Sequence, residues 1–347
     1  MINRRHFLAV TGGAALAGSS AFPRPAVSAS TASITFGPAL PVYSLSFIAK
    51  EKGFFKDEGI DLKPVVTDAG ARSRQMLAAG EALFAHGDAS HPVQLTNRGK
   101  KSKMILATQM VSSIANMVIR TDLYEQGLTT VEKLGNWKRP NGAKPIVAAT
   151  AIGSGTWMFG TYTFQSKNLG DKVNWVAGGG TKTMLAGLES KQFDAIMAPP
   201  AWQLEAEKQG FGKSLYDVRT PGLWQKDFGG TLPVLVLYAL EETIEQNPKD
   251  VQATVNALYK TMQWIKAAPI DEIYALVGEK YYGSADPTAI KVELGFDRDT
   301  WDYTGRVTKE DFERGGKVWY REGTEIPPTP YDSVVDMRFL DAAQKKA

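Results

Sequence analysis

Cysteine is absent from all 347 residues. The chain therefore forms no disulfide, offers no thiolate to a metal or substrate, and has no lipobox cysteine for a lipid anchor. Histidine is scarce: only His6, His86 and His91 occur, too few for most catalytic triads or for an H-E-x-x-H zinc site. No G-x-S-x-G elbow is present. Past residue 30 no apolar run approaches the roughly 20 residues that span a bilayer. An excess of one charge is missing too. Arg4, Arg5 and Arg24 account for the whole surplus of 40 basic over 37 acidic residues. From residue 30 onward the signs balance, and no basic footprint for a nucleic-acid partner is left.

What is present begins with a leader. Arg4-Arg5 precede Phe7-Leu8 and a modest apolar run from Ala9 to Ala17, and Val27-Ser28-Ala29 places small residues before a cut. This is the order of a secretory signal. Asn3-Arg4-Arg5-His6-Phe7-Leu8 resembles the twin-arginine (Tat) motif. Residues 1–29 are thus expected to be a cleavable signal peptide, and the remainder a periplasmic protein.

Length favours two domains, and 43% apolar with 22% charged residues fits a soluble globular chain. Short apolar strands alternate with amphipathic helices from residue 33, which predicts an α/β fold with largely parallel sheets. An echo supports two lobes of similar build. Gly70 with Met76-Leu77-Ala78 recurs as Gly178 with Met184-Leu185-Ala186. Met117–Thr121 and Leu232–Leu240 are expected to be the two connections between lobes. Lobe 1 is then 30–112 with 235–347, and lobe 2 is 113–234. Asn247-Pro248, Asp286-Pro287 and Thr308 with Asp311 mark helix starts in a helical C-terminal third, expected to pack back on lobe 1.

Three glycine-led helix starts are candidate ligand loops, because free N–H groups and the helix dipole favour an anion there. They are Gly70-Ala71-Arg72, Ser154-Gly155-Thr156-Trp157 and Gly178-Gly179-Gly180. Arg72 stands in a first turn, where a cation opposes the dipole and suits an anionic ligand. Ser154 and Thr156 offer hydroxyl donors, or simply caps. Gly178 to Thr183 lacks the spacing of a phosphate loop. Asp88, Ser90 and His91, with His86, form a polar run expected to hydrogen-bond a ligand directly or to support the side chains that do, not to bind a metal. Among the aromatics Tyr43, Trp157, Phe159 and Trp202, stacking on a ligand or walling it in is expected of Tyr43 and Trp157, and Trp202 is a further ligand-binding candidate.

Four stretches carry a family resemblance: Phe47 to Leu62, Met76 to Glu81 with Phe84 and Gly87-Asp88, Gly153 to Thr156, and Leu188 to Ala195 with Trp202. They resemble the nitrate/sulfonate/taurine and thiamine-precursor binding proteins, the NMT1/THI5-like group. Lys191-Gln192 and the spacing before Trp202 depart from the usual pattern. The resemblance implies a type II periplasmic-binding fold, with two α/β lobes joined by two hinges and a small molecule held between them. It further implies a monomeric, cofactor-free and non-enzymatic solute-binding component, which delivers a small organic anion, sulfonate or aromatic in kind, to an ABC permease and its ATPase. An exported enzyme or a sensor module on the same fold is the alternative.

Overall fold

The computed structural model describes residues 30–283 and 285–346, so the expected leader lies outside the described residues. In chain order the strands are β1 (Ser30–Phe36), β2 (Ile60–Val66), β3 (Phe84–Asp88), β4 (Ser102–Gln109), β5 (Met117–Arg120), β6 (Ile146–Ala149), β7 (Asn174–Ala177), β8 (Ala195–Met197), β9 (Gly212–Tyr216) and β10 (Leu235–Leu240). They form two five-stranded sheets, ordered β2-β1-β3-β10-β4 and β7-β6-β8-β5-β9.

The two sheets share one plan. In each, three parallel strands are followed by a strand running antiparallel to both its neighbours: β10 between β3 and β4, and β5 between β8 and β9. Both were expected to be apolar strands at the connections between lobes, in a largely parallel scheme. Each is the first strand laid down after the chain changes lobe, and it enters its new sheet from the opposite end, antiparallel to its neighbours. Its apolar run follows from its place. Leu235 to Ala239 are all buried, as a central strand covered on both faces requires.

The chain crosses from the first sheet to the second between Gln109 and Met117, and returns between Tyr216 and Leu235. The crossings are tied side by side. Leu232 N–H donates to Met110 O (3.1 Å) and Val234 N–H to Gln109 O (2.9 Å). Asn116 accepts from Val218 N–H (2.8 Å) and donates to Asp217 Oδ1 (3.0 Å).

The echo noted in the sequence has a topological basis. The helix Gly70–Ala78 follows β2 and precedes β3, while Thr181–Glu189 follows β7 and precedes β8. In each pair the strands hold equivalent positions in their sheets.

The long helix Pro248–Ala267 buries Val251, Val255, Leu258, Met262 and Ile265 on one face, the i, i+4, i+7 stripe of an amphipathic helix. It packs on the first lobe beside the C-terminal helix Arg338–Lys346. Asn247 does not cap it with its side chain, because Glu241–Gln246 is already helical and Asn247 closes that segment. Asp286 and Thr308 do cap, accepting from Thr288 N–H (2.8 Å) and Asp311 N–H (3.1 Å) respectively.

The C-terminal third is not confined to lobe 1. The helix Pro287–Thr300 packs on Pro200–Lys208 of the second lobe, where Glu293 Oε2 accepts from Ala201 N–H (2.9 Å). Arg321 donates to Met158 O (2.7 Å) on the helix Gly155–Gln165.

Candidate functional site

A cleft of about 1110 Å³ opens between the two lobes. Leu40, Pro41, Ile152, Trp202, Tyr281 and Ile290 supply apolar wall. Each lobe adds one cation and one anion: Arg72 and Asp68 from the first, Lys182 and Glu205 from the second. None of these four takes part in an ion pair among the described residues.

Two helix starts open on this cleft, and neither has a side-chain cap. The helix Gly70–Ala78 begins after Ala69, and Thr181–Glu189 begins after Gly180. Ala69, Ala71 and Arg72 line the cleft from one side, and Gly179 to Lys182 from the other. Gly179 has φ +78°, a left-handed conformation that glycine adopts without strain. Their first-turn N–H groups and dipoles favour a negative ligand group, and Arg72 and Lys182 add full positive charge.

Of the residues singled out in the sequence, Ala71, Arg72, Gly178, Gly179, Gly180 and Trp202 line the cleft. Ser154, Gly155, Thr156, Trp157, Phe159, Tyr43 and the run from His86 to His91 are not among its lining residues. Ser154, Gly155 and Thr156 are buried. Ser154 Oγ donates to Ala151 O (2.7 Å), caps Trp157 N–H (3.5 Å), and joins Thr150 and Thr156 in a ring of hydroxyls 2.9–3.0 Å apart. These hydroxyls satisfy one another. Trp157 meets the guanidinium of Arg321, 5.8 Å from its ring centroid. Phe159 is buried against Trp224 and Phe228. Tyr43 is buried with its ring edge against His86 and Phe36.

The polar run near Asp88 folds into a buried cluster. Asp88 Oδ1 accepts from Ser90 N–H (2.9 Å) and from the Ser90 hydroxyl. Ser90 Oγ in turn accepts from Gln94 (2.9 Å), and Gln94 accepts from Arg74. Burial pushes the Asp88 carboxyl up to about 6, against the opposing pull of Ser90 and Arg74.

The two histidines do not converge. His86 Nε2 pairs with Thr108 Oγ1 (2.8 Å), and His91 Nδ1 with Tyr238 OH (3.1 Å). Burial holds both neutral, His86 at about 3 and His91 well below its ordinary value, the latter aided by Arg74. Among the described residues no group of three or more His, Asp or Glu is placed to hold a metal ion.

Some cleft residues were not picked out one by one in the sequence. Lys182 was read only as part of the ligand-facing loop Gly178 to Thr183, although it carried the same signal that drew attention to Arg72, a cation in the first turn of a helix. Tyr281 and Ile290 carried none, because they reach the cleft only through the packing of the C-terminal helices. Glu293 and Asp297 were missed as well. They are fully buried one turn apart on the helix Pro287–Thr300. Burial pushes Glu293 up to about 8, and burial with the neighbouring Glu293 raises Asp297 well above its ordinary value.

The fold is that of type II periplasmic-binding proteins. A Bordetella bronchiseptica RB50 protein of solved structure superposes with a TM-score of 0.77 at 24% identity, covering 91% of this chain and 98% of its own. The periplasmic nitrate-binding protein NrtA from Synechocystis gives 0.70 at 18% identity, over 91% and 89%. The desulfurization enzyme DSZB gives 0.63 at 16%, over 91% and 99%. These likenesses establish architecture, which a binding protein and an enzyme here share. Among curated proteins the comparison finds no match. A family model matches residues 26–277, which span both sheets and most of the cleft lining, and by that match the chain belongs to the NMT1-like family.

Proposed function

We propose that the chain is the solute-binding component of an ABC uptake system, exported to the periplasm, where it captures a small organic anion and performs no chemistry on it. The observation that carries this reading is the pairing of Arg72 and Lys182. They come from opposite lobes, stand at uncapped helix starts, lack carboxylate partners and line one cleft. An anion between them gains both charges only when the lobes close, which couples capture to closure.

The apolar wall with Trp202 and Tyr281 suits an organic body on that anion, such as an alkyl or aryl sulfonate or carboxylate. No histidine, serine or cysteine lines the cleft among the described residues, which favours holding a ligand over attacking it. A monomer that hands its ligand to a permease and ATPase is the corresponding mode of action. Export through the Tat pathway fits Arg4-Arg5, and blocked export on replacing both by lysine is the outcome that supports it.

The test is a thermal-shift screen of sulfonates, carboxylates and aromatic acids, followed by calorimetry. A saturable binder recovered unchanged after long incubation supports the reading. Turnover of the bound compound contradicts it.

A further inference from the structure

Deep behind the cleft, a cluster from lobe 1 meets the turn that starts the helix Gly155–Gln165 in lobe 2. Arg74 Nη1 donates to Gly153 O at 3.2 Å. Beside it, Asp88 Oδ2 is buried and has no hydrogen-bond partner. It lies so close to Gly155 that a Cβ placed there would stand 2.7 Å from Oδ2 and 3.1 Å from the Asp88 Cβ. Gly155 has no positive φ, so its backbone suits any residue. Only the approach of Asp88 from the other lobe requires glycine at this position. We propose that Asp88 and Gly155 form the closing contact of the clamp, and that a proton taken up by Asp88 tightens it. Both act as positioning residues for closure and do not contact the ligand.

The proposal rests on the clamp reading given above. Closure removes Asp88 Oδ2 from water without supplying a donor, which penalises the charged carboxylate. The titratable groups facing it are Arg74 from Gly70–Ala78, His91 from Ser90–Asn97, Tyr238 from β10 and Tyr43 from the turn Pro41–Tyr43. Residues 153–157 of lobe 2 bring none. Burial leaves the histidine and the two tyrosines neutral, so Arg74 is the one charged neighbour, and its attraction does not offset the desolvation of Asp88. When the lobes part, Oδ2 regains water and the carboxyl returns toward its ordinary range. A closed-state value of about 6 against 3.8 makes the closed-to-open ratio rise about tenfold between pH 7.5 and pH 5.

The test needs no ligand. The protein has no native cysteine, so spin labels attached at Glu81→Cys and Glu189→Cys, one exposed site in each lobe, report the separation of the lobes by pulsed electron resonance. In the otherwise wild-type protein the closed-to-open ratio should rise about tenfold on acidification over that range. Asp88→Asn, a neutral isostere, should close at pH 7.5 as wild type does at pH 5, with no pH dependence. Gly155→Ala should stay open at both pH values while keeping its melting temperature. A wild-type ratio that ignores pH overturns the proposal, and so does normal closing by Gly155→Ala. A single fixed separation in every sample, even with millimolar organic anions, overturns the clamp reading itself.

Discussion

Two helix starts of the second lobe face the first lobe, and they meet opposite surroundings. At Gly155 the first turn is capped by its own Ser154 and closed off by Asp88 and Arg74. At Thr181 the first turn has no side-chain cap and opens on the cleft opposite Arg72. Both begin with glycine and hydroxyl residues and both carry a helix dipole. The difference lies in what the other lobe places against them. Composition marks a helix start as able to bind an anion, and only the fold decides whether that capacity is already used.

The largest effect expected from breaking this contrast is at the open start. Arg72→Ala and Lys182→Ala should each weaken an organic anion at least tenfold, since a charge-assisted hydrogen bond at a water-excluded site contributes about 1.5–3 kcal/mol. The double substitution should approach the product of the two losses. Calorimetric titration measures both. Neither change should lower the melting temperature of the ligand-free protein, because each removes a cation from a helix N-terminus.

A second effect concerns the helix Pro287–Thr300, which packs on Pro200–Lys208 of the second lobe. Glu293 is raised from 4.5 to about 8, so the stability it contributes is complete below about 4.5 and is lost as pH rises through about 8. The wild-type melting temperature should therefore fall by roughly 5 °C or more between pH 5 and pH 8. Glu293→Gln should flatten that slope, which a calorimetric scan at several pH values reads. An identical slope in the variant would assign the pH dependence to other groups.

The smallest effect is at the closed start. Ser154→Ala removes a cap and should cost about 1 kcal/mol, seen as a melting point lower by roughly 2 °C. Its affinity for the anion should stay within a factor of two or three of wild type.

Much of this was legible in the sequence. The two-lobe α/β plan followed from the alternation of apolar strands and amphipathic helices. The repeat around Met76 and Met184 pointed to the two sister helices that flank the cleft. Arg72 was readable because a cation in a first helical turn opposes the dipole, and Lys182 carried the same mark. Ser154, Thr156 and Asp88 looked equally suitable as ligand contacts, since a polar residue beside a glycine reads alike whether it faces a ligand or another part of the chain. Their partners, Thr150, Ala151 and Ser90, are close by in the chain, yet which one a hydroxyl chooses depends on three-dimensional packing. The antiparallel entry of β5 and β10 was hidden for a related reason. Strand direction is set by where the chain re-enters a sheet, and periodicity carries no information about that. Tyr281, Ile290 and Glu293 lie far along the sequence from the loops they meet, on helices whose pattern shows only that one face is buried.

The most direct test of the account compares the two helix starts in one experiment. Wild type, Arg72→Ala, Lys182→Ala and Ser154→Ala are titrated calorimetrically with the tightest organic anion found by screening sulfonates, carboxylates and aromatic acids. The account predicts losses of at least tenfold for the two cation variants and near wild-type affinity for Ser154→Ala. A loss confined to Ser154→Ala, with the two cation variants binding normally, would contradict it and place the ligand at the start of the helix Gly155–Gln165.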